Sequence, residues 1–346
     1  MRVEVVSSRT IGPSEVERWG ELQQQPVYRS PFFRPEFTMA MGTLRDVRVA
    51  IVEDAGRVVG FFPFEARSPR SGRPVAWPRS NYHGPVVDKD AEIDPRALVR
   101  ACRLTTWVFD HLPARLPGFA AHAYARGSSQ YVDLSGGFDA YLVSKRERSN
   151  VRDTLGRRAR KLAREIGPVR CVAESDATEL LETLVEWKRR QYAETGVRDV
   201  LRDAESRELL ERFHAVRGSE FSGTLSALYA GEVVAAVEFG IRTSDVWHSW
   251  FPAYNRELSR FSPGLMLVLE LARAAAPLGI REIDLGKGEA RYKLLLATGS
   301  HELLEGCVGA SAVSAIPVRA RSSVRRALRR AGVHRAVRRA MHRLRR

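Results

Sequence analysis

Two fourteen-residue stretches of this 346-residue chain echo one another. Ala55–Ser68 reads AGRVVGFFPFEARS, and Ala230–Thr243 reads AGEVVAAVEFGIRT. Both begin Ala-Gly, one charged residue, Val-Val, and both carry a Phe and an Arg further on. Each follows another strand-like run, Val47–Glu53 (VRVAIVE) or Thr224–Ala230 (TLSALYA). Each pair therefore reads as a β-hairpin with a tight Gly-containing turn. Chance likeness between two hairpins is the plain alternative. The similar surroundings favour a duplicated domain.

Around the second hairpin the order of elements is readable. Val169–Ala173 is expected as a strand. Asp176–Glu194 is expected as a helix, because Leu180, Leu181, Leu184, Val185 and Trp187 recur at helical spacing. A helix at 205–216 and the hairpin 224–230 with 232–242 follow. Val246–Ala253 is a third strand, and Ser262–Ala276 a helix closed by Pro277 and Gly279. Arg281–Leu285 is a strand, Ala290–Thr298 a short helix and His301–Val308 a last strand. The first half reads more loosely: strand 2–6, helix 14–24, hairpin 47–66, a strand near 75–80, helix 94–111 and strand 119–125. Arg146–Ile166 is expected as a strongly basic helix joining the halves.

Net charge is +15, yet residues 319–346 hold 12 arginines and no acid, which leaves only +3 for the preceding 318 residues. The body is near neutral, so the basic balance gives the folded part little claim on nucleic acid. The tail places Val324, Leu328, Val333, Val337, Met341 and Leu344 among arginines, with Gly332 dividing it. It reads either as a solvated end or as a basic amphipathic helix that settles on an anionic membrane surface. The start MRVEVVSS lacks the apolar core of a signal peptide. The most apolar helical run, Pro263–Leu278, is interrupted by Glu270 and Arg273. Cys102, Cys171 and Cys307 lie far apart, so neither a disulfide framework nor a zinc site is expected and a reducing compartment fits. These features predict a cytoplasmic protein, peripheral on the inner membrane face if the tail binds there.

Three segments carry candidate chemistry. The first is Arg260-Phe261-Ser262-Pro263-Gly264. Ser262 suits an N-cap and Pro263 the first helical position. Gly264, with Leu265 next to it, allows close approach to a helix start whose free N–H groups attract a phosphate, and Arg260 adds a charge. An ordinary helix cap is the bland reading. The second segment is Asp284–Lys293 (DLGKGEARYK), leaving a strand end with glycines on both sides of Lys287. Only 6 lysines stand against 50 arginines, and Lys287 and Lys293 both fall here. A lysine in such a chain suggests a compact charge or a tunable pKa. The bland reading is a solvated loop, but strand ends in α/β sheets are where ligands bind. The third is Val246–Tyr254 (VWHSWFPAY). Alternation puts Trp247, Ser249 and Phe251 on one face and His248, Trp250 and Pro252 on the other. A lone strand histidine is more often a packed one than a catalyst. Trp250 and Tyr254 are candidates for a substrate wall. No HxH, HExxH or DxD cluster points to a metal.

YAGEVVAAVEFGIR, WHSWFPAYNRELSRFSPG and IDLGKGEARYKLLLATG resemble the GNAT-fold acetyltransferases associated with cellulose and exopolysaccharide biosynthesis (the CelD/BcsL type). PFFRPEF near residue 31, GFFPFE at 60 and RSNVRDTLGRRARKLAREIG at 148 fit the same family, and the likeness spans about residues 20–310. The family is similar in turn to Fem-type aminoacyl transferases, which pair two GNAT-like domains.

The resemblance implies an α/β (α+β) chain of two tandem GNAT-like domains, each a mixed, mostly antiparallel sheet flanked by helices. Residues 1–135 would be a degenerate N-terminal domain, 136–167 a basic connecting helix, 168–312 the acyltransferase domain and 313–346 the basic tail. It implies acetyl-CoA or another acyl-CoA as co-substrate, without a metal, held at Arg260, Ser262, Gly264 and Leu265. The usual phosphate loop of that superfamily has Arg or Gln, two residues, then Gly-x-Gly or Gly-x-Ala. Here Arg260 stands one residue further from Gly264, and Met266 takes the place of the second small residue.

The expected reaction is N- or O-acyl transfer, acetyl being the group favoured, to a small-molecule acceptor such as a sugar, polysaccharide or cell-envelope precursor. The thioester would lie between strands 246–253 and 281–285. Asp284 or His248 would take the acceptor's proton, Lys287 or a strand amide would stabilise the oxyanion, and Tyr292 would protonate the thiolate. Trp250, Tyr254, Arg291, Lys293 and Arg152 would contact the acceptor. One alternative is a Fem-type transferase that uses aminoacyl-tRNA on a cell-wall precursor. The other is a non-enzymatic basic adaptor for membrane or nucleic acid.

Overall fold

The computed structural model describes residues 1–68, 70–146 and 151–330. In the first half, β1 (Arg2–Ser7) leads to α1 (Pro13–Gln23), α2 (Pro35–Leu44), and the hairpin β2 (Val47–Asp54) and β3 (Arg57–Ser68). The short strands β4 (Ser71–Arg73) and β5 (Val86–Val87), α3 (Pro95–Ala101), β6 (Thr106–Pro113) and β7 (Ala123–Asp133) follow. Helices α4 (Gly137–Arg146) and α5 (Val151–Glu165) lead into the second half. There β8 (Val169–Val172) is followed by α6 (Glu179–Thr195), α7 (Ala204–Ala215), β9 (Ser222–Ala230), β10 (Val233–Arg242) and β11 (Val246–Tyr254). Then come α8 (Pro263–Ala275), β12 (Glu282–Lys287), α9 (Arg291–Leu296), β13 (Gly299–Gly309) and α10 (Ile316–Arg330). The tail from residue 331 to 346 lies outside the described residues, with Gly332, Val333, Val337, Met341 and Leu344.

The echoing segments are two hairpins. In the first, Ala55 (φ 48°) and Gly56 (φ 78°) are both left-handed, the conformation a two-residue turn needs to match strand twist. The strands form one sheet in the order β1-β2-β3-β4-β6-β13-β7-β12-β11-β10-β9-β8, with β5 beside β3. Most neighbours are antiparallel; β11 with β12 and β4 with β6 are parallel. The halves exchange strands. β7, from the first half, lies between β12 and β13, and β13 lies between β7 and β6. The mixed, mostly antiparallel sheet flanked by helices is thus present, with the two halves fused edge to edge.

Burial follows the pleat. Along β10, Val237, Phe239 and Ile241 enter one core with Leu184 of α6 and Phe213 of α7. Leu267 and Leu271 of α8 and Leu162 of α5 fill the other face with Trp247. Each such side chain taken from water contributes roughly 1.5–3 kcal/mol.

Five expectations need correction. The 94–111 segment is helical only to Ala101 and becomes β6 from Thr106. Arg103 turns left-handed (φ 57°), and the run Thr106-Trp107-Val108-Phe109 favours a strand. Residues 75–80 form turns rather than a strand, and the strand expected at 119–125 is the longer β7. The basic segment 146–166 is helical over Val151–Glu165, with residues 147–150 outside the described residues. Strict alternation along β11 fails, because the register with β10 shifts where Phe239 faces Phe251 and Gly240 faces Ser249. Trp250 is the extra residue of this bulge, so Phe251 shares its core instead of opposing it.

Candidate active site

Strands β11 and β12 pair over only three positions: Val246 with Glu282, Trp247 with Ile283 and His248 with Asp284. Beyond them β11 follows β10 as far as Tyr254, while β12 follows β7 as far as Lys287. Irregularities on both sides open this fork. Trp250 bulges in β11, and the β12–β7 register shifts between Asp284 and Lys287, where Gly286 is left-handed (φ 78°).

At the vertex sits a buried polar cluster. Asp284 accepts from the Tyr82 hydroxyl (2.5 Å), the Ser129 hydroxyl (2.7 Å) and the Gly286 amide (2.6 Å). His248 is fully buried, with Nδ1 3.5 Å from Asp284 Oδ1 and Nε2 2.7 Å from Asn81 Nδ2. An amide N–H donating to Nε2 leaves the proton on Nδ1, facing Asp284. Burial drives the His248 pKa down to about 4, against the pull of Asp284, so the ring is neutral near pH 7. Burial likewise raises Tyr82 well above the usual phenol range. Phe32 from the PFFRPEF segment packs edge-on against His248 at 5.0 Å.

Lys293, on α9, reaches back into the fork. Its ammonium donates to the carbonyls of Gly286 (2.8 Å) and Lys287 (2.9 Å), and burial lowers its pKa to about 8. A Cβ on Gly286 would stand 3.4 Å from Asn81 Nδ2, 3.5 Å from Lys293 Nζ and 3.8 Å from His248 Nε2, so these three groups surround one point of backbone. Lys287 points away. It donates to the Asp110 carbonyl and to Glu305, each at 2.5 Å, and lies across Gly127. Arg291 is exposed.

A cavity of about 300 Å³ lies at the open end of the fork, lined by Lys188, Pro252, Tyr254, Ser262, Gly264 and Tyr292 among others. It abuts the start of α8, which has Pro263 in its first turn and no side-chain cap. Ser262 is left-handed (φ 61°) and its hydroxyl accepts from Arg158 of α5, so it does not cap the helix as expected. No side chain competes for the amides of the first turn, although Leu265 N–H already donates to the Ser262 carbonyl at 3.1 Å. Arg260 is exposed and pairs with Glu165 at 2.9 Å. Leu265 also lines the cavity. Tyr292, with a phenol pKa raised to about 12 by burial, closes one side. Lys188 is 8% exposed and meets Gln191 at 3.0 Å; burial, aided by the charge of Lys293, lowers its pKa to about 8.

A second cavity of about 390 Å³ lies on the other side of the Tyr82–Asp284 bond, with Arg29, Arg115, Glu282 and His301 in its wall. His301 is 2.8 Å from Glu282 and stacks on Tyr131 at 4.4 Å. Two triads, His83–Asp110–His111 and Glu282–Asp284–His301, bring ligand-type atoms within 4.8 Å. Each is tied up internally: His83 Nε2 accepts the amides of Asp110 and His111, and Asp284 is bonded as above.

The fold thus brings together His248, Asp284, Lys293 and, at the cavity, Tyr292, Tyr254, Ser262, Gly264 and Leu265. Trp250 is buried, its indole N–H on the Arg79 carbonyl and its ring stacked on Phe251 at 4.9 Å. Arg152 is exposed and lines a separate groove between α5 and α8. Sequence reading missed Asn81, Tyr82, Ser129, Arg158 and Lys188. Lys188 left a trace: it stands one turn after Leu184, on the buried stripe of α6.

A family model described as acetyltransferase (GNAT) domain matches residues 149–294. FemX aligns with a TM-score of 0.58 and 11% identity, over 89% of this chain and 96% of FemX. A conserved protein of unknown function from Bacteroides thetaiotaomicron VPI-5482 aligns with a TM-score of 0.56 and 11% identity, over 89% and 100%. The C-terminal domain (DUF2156) of a protein designated a lysylphosphatidylglycerol synthetase, from Agrobacterium fabrum, aligns with 0.55 and 13%, over 88% and 95%. At such identities the likeness is one of fold alone. No curated protein matches the chain. No helix among the described residues is long and apolar enough to cross a membrane. The match over residues 149–294 takes in β11, α8 and β12 with the fork between them, so this segment is similar to a GNAT acetyltransferase domain.

Proposed function

We propose that the chain is an acyl-CoA-dependent N- or O-acyltransferase whose thioester lies in the fork between β11 and β12. One observation carries this reading. The two strands part directly after His248 and Asp284, and a 300 Å³ cavity at the open end abuts an uncapped helix start. A helix start of that kind favours a pyrophosphate, and the fork leaves two strand edges free to flank a pantetheine arm. Arg158 and Lys188 supply positive charge there, in place of the Arg260 contact that Glu165 takes.

The reaction then runs in one displacement. The acceptor amine or hydroxyl attacks the thioester carbonyl, and its proton passes to His248 Nε2 as its donor group displaces the Asn81 amide. Asp284, its Oδ1 3.5 Å from Nδ1, favours the proton on that nitrogen by its charge rather than by a formed hydrogen bond, and so the reactive tautomer. Lys293 has two of its three N–H donors on carbonyls, and the third faces the developing oxyanion. Collapse breaks the C–S bond, and Tyr292, protonated at neutral pH, gives the thiolate its proton. The acceptor enters from the 390 Å³ cavity beyond Tyr82, whose wall carries both signs of charge. Acetyl is the acyl group, the acceptor belongs to a sugar, polysaccharide or cell-envelope precursor, and the setting is the cytoplasm. Residues 1–135 and 168–312 act as the repeated units. A second reading, aminoacyl-tRNA as donor, is favoured by the cationic α5, which carries Arg152, Arg157, Arg158, Arg160, Lys161 and Arg164 beside the α8 start.

The test is acceptor-dependent thiol release from acetyl-CoA and longer acyl-CoAs, run beside transfer from aminoacyl-tRNA. Release from a CoA ester supports the first reading, and turnover with aminoacyl-tRNA alone selects the second. No turnover with either ends both.

A further inference from the structure

Helix α10 is docked by its arginines and leaves its apolar face in solvent. Arg319 donates to the Ala121 carbonyl at 3.3 Å. Arg326 donates to the Tyr124 carbonyl and lies 4.8 Å over that ring. On the outward side Ile316 is 57% exposed and Val324 60%, and Pro317, Ala320 and Ala327 are exposed with them. Positions 316, 320, 324 and 327 recur at i, i+4, i+8 and i+11, so they form one continuous stripe. Val313, in the turn before the helix, is 67% exposed. A stripe meant only for the protein core would face β7, and this one faces outward.

The charge beside it has one sign. Residues 306–346 contain 12 arginines and neither Asp nor Glu, and six of those arginines fall in α10. Long arginine stems lie along apolar surface while their heads stay in the polar layer. An outward apolar stripe flanked by arginines fits a lipid surface, because acyl chains take the stripe and anionic headgroups take the guanidiniums. A nucleic acid would answer the charge and leave the stripe wet. A second copy of the helix would answer the stripe and set arginine against arginine.

We propose that α10 is a docking surface for an anionic bilayer, holding the chain at the membrane face with the helix axis parallel to it. The proposal stands apart from the acyl-transfer reading, since none of its residues lines the fork or either cavity.

The test is co-sedimentation of the full chain with phosphatidylcholine vesicles, with and without phosphatidylglycerol. The expected result is binding only to the mixed vesicles, lost progressively as salt is raised. Val324→Glu and Arg321→Glu should each weaken partition roughly fivefold or more, with the melting curve unchanged because both positions are exposed. Ile316→Glu, two stripe positions from Val324, checks that the loss belongs to the stripe. Failure of the native chain to bind mixed vesicles overturns the proposal. So does binding that Val324→Glu leaves intact, which would mark a purely electrostatic contact that does not use the stripe. Self-association abolished by Val324→Glu without vesicle binding would assign the stripe to a second copy and overturn it as well.

Discussion

His248 and Asp284 are the last register pair of β11 and β12, and their side chains meet where the strands part, Nδ1 lying 3.5 Å from Oδ1. The pair therefore sits where backbone that no longer pairs with its neighbour becomes free to meet a ligand. Asp284 is held by three donors from three parts of the chain: a loop (Tyr82), a strand of the other half (Ser129) and its own strand (Gly286). The exchanged strand β7 is what delivers Ser129, so strand exchange and site assembly are one feature of the fold.

If His248 is the base, removing its ring slows chemistry more than binding. His248→Gln should lower kcat roughly 10²–10⁴-fold and leave the KM for the acyl donor within a few-fold. Steady-state kinetics with both substrates varied checks this, and a pure KM effect would assign His248 a packing role.

Asp284→Asn should lower stability as well as turnover. The amide places an N–H₂ among groups that donate, so at least one of the three bonds to a charged acceptor is lost without replacement. The expected cost is about 2–4 kcal/mol, measured by denaturant unfolding. Ser129→Ala, which removes one donor, should cost less, about 1–2 kcal/mol.

The buried histidines give stability a pH signature. Burial lowers His248 to about 4 and His83 to about 3, against an ordinary 6.5. Below pH 6.5 the unfolded chain takes up protons that the native chain refuses until near pH 4. Stability should therefore rise with pH between about 4 and 6.5, each group adding a slope of up to about 1.4 kcal/mol per pH unit. Urea midpoints across that window test the sign. A flat profile would mean the rings are charged when folded.

Lys188 and Lys293 bear on turnover at high pH. Burial brings both to about 8, so they lose charge as pH rises through that value. Turnover should fall above pH 8. Lys293→Met should remove much of that limb and cost roughly 10²-fold in kcat, while Lys188→Met should mainly raise the donor KM. A pH–rate profile for each variant separates the two.

The second half of the chain was legible because its strands alternate and its helices repeat at clear spacing: β8 to β13 lie where pattern and turn residues place them. The helix expected at 94–111 failed because Leu98 and Val99 continue a helical pattern into Trp107 and Phe109, and only the left-handed Arg103 separates them. The exchange of β7 and β13 left no local trace, since a strand's partner is chosen by distant registers. Of the site, Asp284, His248 and Lys293 were readable from a strand end and a scarcity of lysine. Asn81 and Tyr82 sit in a loop without periodicity and meet His248 and Asp284 across 167 and 202 residues of chain, so nothing in their own neighbourhood marked them.

The most direct measurement is a crystal structure of the full chain with a non-hydrolysable acyl-CoA thioether. The account predicts the pantetheine arm between Ala253 and Gly286, the pyrophosphate at the start of α8 beside the Gly264 amide, and the acyl carbon within reach of His248. A bound ligand lying elsewhere, with β11 and β12 unoccupied between them, would contradict it.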